Sequence, residues 1–487
     1  MGSLNYKVVI VGSGFSGQCA AINLIKNGIN DFIILERRNF TGGTWCQNSY
    51  PGAAVDVQSP LYSLSFEPYP WSRMFAEQKE LETYTNMVID KYGLREKVTL
   101  NADVKDITWS EDDKKWHIET KNGSSFHAQF VINCSGPLST PVVPNFKGKE
   151  TFKGESFHTN NWNHDFDLTG KRVAIIGSGA SASQVIPTIA PDVGDLHVFQ
   201  RTPHWVLPRP DRIFSRFERK LLAVKPIYKL LRYIIYWSLE TRMIGFKYSP
   251  WLMKNIPQRE ALHHLKKQVK DIDKRKALTP DYTIGCKRII LSNDLLKTYN
   301  RENTHLYLKD NGIKEINENG ILTTQGKQVD LDLIVYATGY DATDGVIPYP
   351  VIGRNNKSLS ETWSEFPRAY LGTSLPGFPN LFLSCGPNSG IGHTSAIFII
   401  ESQMNYIIDA IKQCEFKGYQ TCEVKEETEE TYTTKLHEEM KKTIWYRGGC
   451  NSWYKSKNGK VIAMYPGFSF SFYKITKKLN PDHHVFQ

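Results

Sequence analysis

Two glycine-rich turns, each set between a short apolar strand and an apolar helical pattern, constrain this chain more than any other feature. The first is Lys7-Val-Val-Ile-Val-Gly-Ser-Gly-Phe-Ser-Gly17, followed by Ala20, Ala21, Ile22, Leu24 and Ile25 and then by the strand Phe32-Ile-Ile-Leu35. Gly12 permits the tight turn, and Gly14 lets backbone amides approach a pyrophosphate. Gly17 lets the helix pack close, and Phe15 and Ser16 begin that helix, whose N-terminus attracts negative charge. Glu36 ends the second strand, where a carboxylate accepts hydrogen bonds from a ribose diol. A lone G-x-G-x-x-G is a weak signal, but strand, turn, helix, strand and acid in this order define a dinucleotide-binding unit.

The second unit reads Arg172-Val-Ala-Ile-Ile-Gly-Ser-Gly-Ala-Ser-Ala182, then a helical pattern and the strand Leu196-His-Val-Phe199. Gly177 and Gly179 form its turn, Ala180 and Ser181 open its helix, and Arg201 and Thr202 follow its second strand. Arg201 stands as far from Gly177 as Glu36 does from Gly12. A carboxylate there repels a 2′-phosphate, whereas a guanidinium pairs with it bidentately. The first unit therefore suits a nucleotide with a free ribose diol and the second one bearing a 2′-phosphate, demands that FAD and NADPH meet.

Two further apolar strands end in small residues, Phe130-Val-Ile-Asn-Cys-Ser-Gly136 and Leu333-Ile-Val-Tyr-Ala-Thr338-Gly339. The first is read as closing the opening FAD segment. The second is read as returning the chain from an inserted NADPH unit. The predicted fold is α/β, two dinucleotide-binding units of Rossmann type, one interrupting the other. Residues 1–147 and 335–487 form the FAD-binding domain and 148–334 the NADPH-binding domain, with a helical insertion at about 205–285.

The length of 487 residues suits about three domains. With 40% apolar and 23% charged residues the chain buries large cores and is not disordered. The net charge of +10 is spread thinly, which fits anionic small ligands or a membrane surface better than a nucleic-acid groove. Eight cysteines without a C-x-x-C pair argue against a disulfide scaffold, a metal-binding ribbon and a dithiol reductase, and fit a reducing, cytoplasmic setting. No metal site is expected. The chain opens Met-Gly, but Tyr6 stands where myristoylation needs Ser or Thr, and no 18-residue apolar run is present.

Within the insertion, Lys220–Leu239 is apolar, helical in texture and punctuated by Lys and Arg. It admits three readings: a buried helical hairpin, a lid and tunnel over a flavin, or a surface helix dipping into lipid. The run Glu423–Glu430 reads as a solvated helix face.

With these motifs in place the chain resembles the flavin-dependent class B monooxygenases, and among them the Baeyer–Villiger type. The most specific element is Phe152-Lys-Gly-Glu-Ser-Phe-His-Thr-Asn-Asn-Trp162, which matches the fingerprint F-x-G-x-x-x-H-x-x-x-W; the next residue is Asn163 where that pattern has Pro or Asp. Gly42-Gly43-Thr44-Trp45, Tyr50-Pro-Gly-Ala-Ala-Val-Asp56, Gly285-Cys-Lys-Arg288 and Cys385-Gly-Pro-Asn388 also match, as do the tail segments Gly448–Tyr454 and Tyr465–Phe468. The resemblance implies that Arg288 sits over the flavin and stabilises a C4a-peroxyflavin anion, that Asp56 pairs with Arg288, and that Lys287 helps Arg201 hold the 2′-phosphate. Gly43, Thr44, Trp45, Thr338, Gly339 and Asn388 are expected around the cofactors.

The chemistry is apt, because an adjacent permanent cation keeps such an anion deprotonated and arginine cannot surrender its proton. Without the motifs, Arg288 would read as a solvated cation and Asp56 as a turn carboxylate. His158 reads as a structural linker, Trp162 as a packing anchor, and Gly154 as a position with a backbone conformation closed to other residues. The implied activity is NADPH- and O2-dependent insertion of oxygen beside the carbonyl of a hydrophobic ketone. Oxygenation of sulfur or nitrogen, and a non-turnover FAD/NADP sensor, are the alternatives. Nucleic acid is not an expected partner.

Overall fold

The structure, a computed structural model, describes residues 4–341 and 347–487; Met1-Gly2, on which the lipidation reading turns, lies outside them. Strand alternation sets the layering. In Leu4–Val11, Val8 and Ile10 point into one apolar cluster while Val9 and Val11 point into another, so this strand is covered on both faces. Val173 and Ile175 against Ala174 and Ile176 repeat the pattern in Arg172–Ile176.

Leu4–Val11 pairs in parallel with Phe32–Leu35 on one side and Ser125–Asn133 on the other. The sheet extends to Val98–Thr99 at one edge and through the antiparallel strands Lys115–Thr120 and Val104–Ser110 at the other. Val351–Ile352 and Leu381–Leu383 join it from much later in the chain, giving eight strands. The second sheet has five parallel strands in the order Thr304–Tyr307, Asp195–Phe199, Arg172–Ile176, Leu333–Tyr336, Glu155–His158. The fold is α/β with two units of Rossmann type, the second inserted in the first, as expected. One detail differs from the sequence reading. All four residues of Leu333–Tyr336 pair inside the second sheet, so a boundary at 334/335 cuts a strand and the chain crosses back only after Tyr336.

The insertion leaves and re-enters through the paired strands Val206–Leu207 and Ile290–Leu291. Between them lie the helices Arg216–Leu222, Lys225–Glu240, Pro250–Asn255, Pro257–Gln268 and Ile272–Ala277. A capping box at Ser215 and Glu218 starts the first, and Pro226 opens the second at a position where its missing N–H costs nothing. Among the described residues no helix is long and apolar enough to cross a membrane.

Several local readings need correction. Gly154 does not adopt a left-handed backbone; a Cβ there would lie 2.7 Å from the Asp332 carbonyl oxygen, so close approach is what requires glycine. Glu429 is not solvated but buried, accepting from Thr433 Oγ1 at 2.5 Å and facing Arg368. The scattered cysteines suggested no cross-link, yet Cys286 and Cys450 are bonded across 164 positions. Trp162 is a packing anchor as expected, edge-on to Phe157 at 5.1 Å.

The tightest steric demand falls at Gly17, where a Cβ would stand 1.9 Å from the Gly12 carbonyl oxygen. Gly17→Ala must part helix from turn, and the expected loss is about 1–3 kcal/mol of stability in denaturant unfolding. An unchanged midpoint would show that the helix has room to shift freely.

Candidate active site

Arg288 and Asp56 come from opposite ends of the architecture and meet in a bidentate pair, Nε to Oδ2 and Nη2 to Oδ1, both at 2.5 Å. The loop bearing Arg288 turns at Gly285, whose φ is +90°. It is held to the C-terminal tail by the Cys286–Cys450 bond and by Thr283 N–H donating to the Gly448 carbonyl. Asp56 ends the segment Tyr50–Asp56, which lies on the helix Ala180–Ile189: Tyr50 donates to Gln184 at 3.0 Å, and Gln184 donates to the Ala54 carbonyl at 2.8 Å.

The Arg288 side chain keeps 44% of its surface accessible, so the pair with Asp56 leaves one face of the guanidinium open. The charge of Asp56 raises the guanidinium pKa, and this outweighs the burial that opposes it. Tyr62 and Tyr454 stand close enough to feel the pair, and burial pushes both phenols up to about 12, so they remain protonated donors. Tyr62 accepts from Trp45 Nε1 at 3.3 Å and packs edge-on against Phe15 of the first glycine turn and Trp45 of the Gly42–Trp45 motif. Nothing in a single sequence marks Tyr62, since its role comes from the fold of the 60–62 turn.

The glycine turns are shaped for dinucleotides. Gly12 has φ +104° and room only for hydrogen beside the Cys134 carbonyl, and Gly177 has φ +135° against that of Ala337. Gly43 packs on Gly14 so closely that a Cβ would fall 2.6 Å from its Cα. Phe15–Lys26 and Ala180–Ile189 begin at Gly14 and Gly179 with no side-chain cap, leaving their first amides for an outside anion. Ser16 is buried in the first of these turns, whereas Ser181 is a hydrogen-bond partner of Tyr50. Glu36 is buried and accepts from Ser13 N–H at 3.0 Å, Ser13 Oγ at 2.6 Å and Arg38 N–H at 3.0 Å, which fixes the carboxylate beside the turn.

After the second strand of the other unit, Arg201 is exposed and Thr202 accepts from Ser178 Oγ at 2.8 Å. Lys287 lies over the Tyr282 ring, and its pKa is lowered by burial and then by the charge of Arg201. Two cations that raise each other's cost are a natural seat for a dianion. His204, bonded to Ser178 Oγ at 3.2 Å, is pushed down to about 4 by burial and by Lys287.

Thr338 donates to the Val142 carbonyl, and Gly339, at φ +84°, accepts from Val142 N–H at 3.0 Å, so both border the crossing between units. Asn388 spends its amide hydrogens on the Val461 and Met464 carbonyls, 3.0 Å each, and its backbone N–H on the Ile462 carbonyl at 2.6 Å, which leaves its side-chain oxygen for any other partner. In the fingerprint, His158 Nδ1 accepts from Asn160 N–H, and Asn160 donates to Tyr340, which donates to Asn48. Through Asn160 and Tyr340 that chain reaches Asn48 in the first unit, with His158 supporting Asn160 at its start. Asn163 engages only local partners, Asp165 N–H and Glu155. Away from the site, Asp113, His117 and His127 bring ligand atoms within 4.8 Å of one another, a grouping that sequence spacing does not reveal.

The flavin-binding monooxygenase-like family matches residues 5–369. Two Baeyer–Villiger monooxygenases are similar over 97% of this chain: one from Pseudomonas aeruginosa is 42% identical over 90% of its own length, and one from Streptomyces coelicolor 39% over 91%. Among solved structures, closed cyclohexanone monooxygenase superposes with a TM-score of 0.89 at 26% identity, covering 100% of both chains. An oxidised steroid monooxygenase bound to NADP gives 0.88 at 28% identity over 99% of each. The chain belongs to the flavin-binding monooxygenase-like family. Within it, this is an FAD-containing, NADPH-dependent Baeyer–Villiger monooxygenase.

The histidine beside Lys287 gives a pH test. His204 titrates at about 4 when folded and near 6.5 in the unfolded chain, so between these values the unfolded state binds more protons. Its contribution makes stability rise with pH across that window and fall as the solution is acidified. His204→Gln should flatten the pH dependence of the urea midpoint there; an unaltered slope would contradict the assignment.

Proposed function

We propose that the Arg288–Asp56 pair is the centre at which this enzyme places one atom of O2 beside the carbonyl of a hydrophobic ketone, giving an ester or lactone. Bound FAD, reduced by NADPH, supplies the chemistry that activates O2. The remainder falls to the chain. The segment up to residue 147 and the chain after Tyr336 hold FAD, with Gly12, Gly14, Phe15, Ser16 and Gly17 around its pyrophosphate, Glu36 on its ribose, and Gly43, Thr44 and Trp45 alongside. The unit between them, which includes the strand Leu333–Tyr336, holds NADPH through Gly177, Gly179, Ala180 and Ser181, with Arg201, Thr202 and Lys287 on the 2′-phosphate. Thr338 and Gly339 border the crossing between them, and Asn388 reaches the cofactors from the segment packed on the C-terminal tail.

The observation that carries this reading is a permanent cation held bidentately by a carboxylate, with one face left open. Arg288 stays protonated at Nε and Nη2 and stands where negative charge develops on oxygen, and a fixed charge in a site shielded from water acts more strongly than one in solution. Asp56 orients it and balances its charge at rest. The rings of Phe15 and Trp45, packed on Tyr62 beside the pair, favour apolar substrates.

Arg288→Ala should bind FAD normally, judged by flavin absorbance, while ester formation falls by about 100-fold or more. Ester formation at the wild-type rate would refute the role of Arg288. Arg201→Ala should raise the KM for NADPH by about tenfold, with NADH use little changed, as expected for loss of a charge-assisted hydrogen bond. An unaltered preference for NADPH would place the 2′-phosphate elsewhere.

A further inference from the structure

The helix Lys225–Glu240 is apolar on both faces. Its inner face buries Ile235 and Leu239 together with Tyr228, Arg232, Tyr236 and Glu240, and these last four are all hydrogen-bonded. Arg232 Nη1 donates to the carbonyls of Pro60, Leu61 and Ser63 at 2.8–3.1 Å, and its other nitrogen faces Glu401. Glu240 accepts from Ser469 Oγ at 2.6 Å and meets His393 at 3.2 Å. The outer face presents Ile227, Leu230, Tyr233, Ile234 and Trp237, with Leu230 and Tyr233 each 60% exposed. A helix folding only against its own protein turns its apolar stripe inward, so an outward stripe marks a partner.

The apolar face does not end with the helix. Ring contacts run from Tyr233 to Trp237 (6.0 Å), on to Phe470 (5.9 Å), Phe468 (5.1 Å) and Tyr248 (6.1 Å). Trp251, 67% exposed, opens the next helix, and Phe217, 70% exposed, lies in the helix before. Tyr and Trp at the edge of an apolar face are the residues that settle at a lipid headgroup layer. The charges fit the same partner. Arg216, Arg219, Lys220, Lys225, Lys229 and Lys254 are all exposed, and the only acids from 212 to 256 are Glu218, spent on capping and on Arg212, and the buried Glu240. Two copies of so basic a face would repel each other, whereas an anionic surface attracts it.

We infer that the 213–256 face is a monotopic membrane-contact surface, which lays the outer stripe of Lys225–Glu240 into the headgroup boundary of an anionic phospholipid bilayer without crossing it. Long basic side chains at its rim reach the phosphates while their stems cover apolar surface. Hydrophobic molecules dissolved in the bilayer then meet the enzyme at this face.

The test is vesicle flotation of the FAD-loaded protein. It should rise with phosphatidylcholine vesicles containing phosphatidylglycerol, rise much less with phosphatidylcholine alone, and be partly released by salt. The variant Phe217→Ser/Leu230→Ser/Ile234→Ser should partition at least about tenfold less while turning over a water-soluble ketone as before. Should that variant fold poorly, Lys225→Glu/Lys229→Glu should weaken binding to the anionic vesicles alone. Absence of flotation, equal flotation of wild type and variants, or a wild-type dimer that the triple variant dissolves without any vesicle binding would each overturn the inference.

Discussion

The structure turns on one ion pair whose two members the chain supplies from different places. Asp56 follows the first glycine turn, and Arg288 closes the helical insertion in the second unit, 232 residues later. Each charge alone would be costly to hold, because a charge removed from water and left unpaired is penalised heavily. Together they demand that the two units meet in a single orientation. The segment Tyr50–Asp56 meets that demand by lying on Ala180–Ile189, where Gly52 has no room for a side chain beside the Gln184 carbonyl. The nucleotide-binding helix of one unit is thus also the platform that delivers the carboxylate of the other.

The same logic governs the far side of Arg288. Its loop is clamped by the tail through the Cys286–Cys450 bond, and Gly448 abuts Cys286 where a Cβ would collide. The insertion is fastened in turn by Glu240, which gathers His393 and the adjacent Ser469 hydroxyl and Phe470 amide from two distant segments. Burying these polar groups is tolerable because each finds partners. The same helix buries Ile235 and Leu239 but leaves Leu230, Tyr233, Ile234 and Trp237 facing outward.

Much of the fold was legible in the sequence because it rests on local rules. Glycines at fixed intervals, apolar runs of strand length and a terminal acid or arginine located both nucleotide units, and their order located the insertion. Glu36 and Arg201 were candidates for the same reason, as strand-end positions with a chemical demand, whereas Arg288 and Asp56 were candidates only through the family resemblance. What escaped depended on packing between distant segments. Tyr62 beside Arg288, the Cys286–Cys450 bond and the buried Glu429 follow from tertiary contacts that no spacing encodes. The strand Leu333–Tyr336 was read as a parallel strand but divided between the two units by the 334/335 boundary, since an apolar strand ending in glycine looks alike in either sheet. Lys220–Leu239 remained open among three readings because composition gives a helix its stripe but not the direction in which it faces.

The most direct test of the central claim is isotopic. The FAD-loaded enzyme is given NADPH, a hydrophobic ketone and heavy-isotope O2, and the product is weighed by mass spectrometry. The account predicts an ester or lactone carrying one heavy oxygen atom, with NADPH consumed in step. Unchanged ketone, together with oxygenation of a thioether under the same conditions, would contradict it.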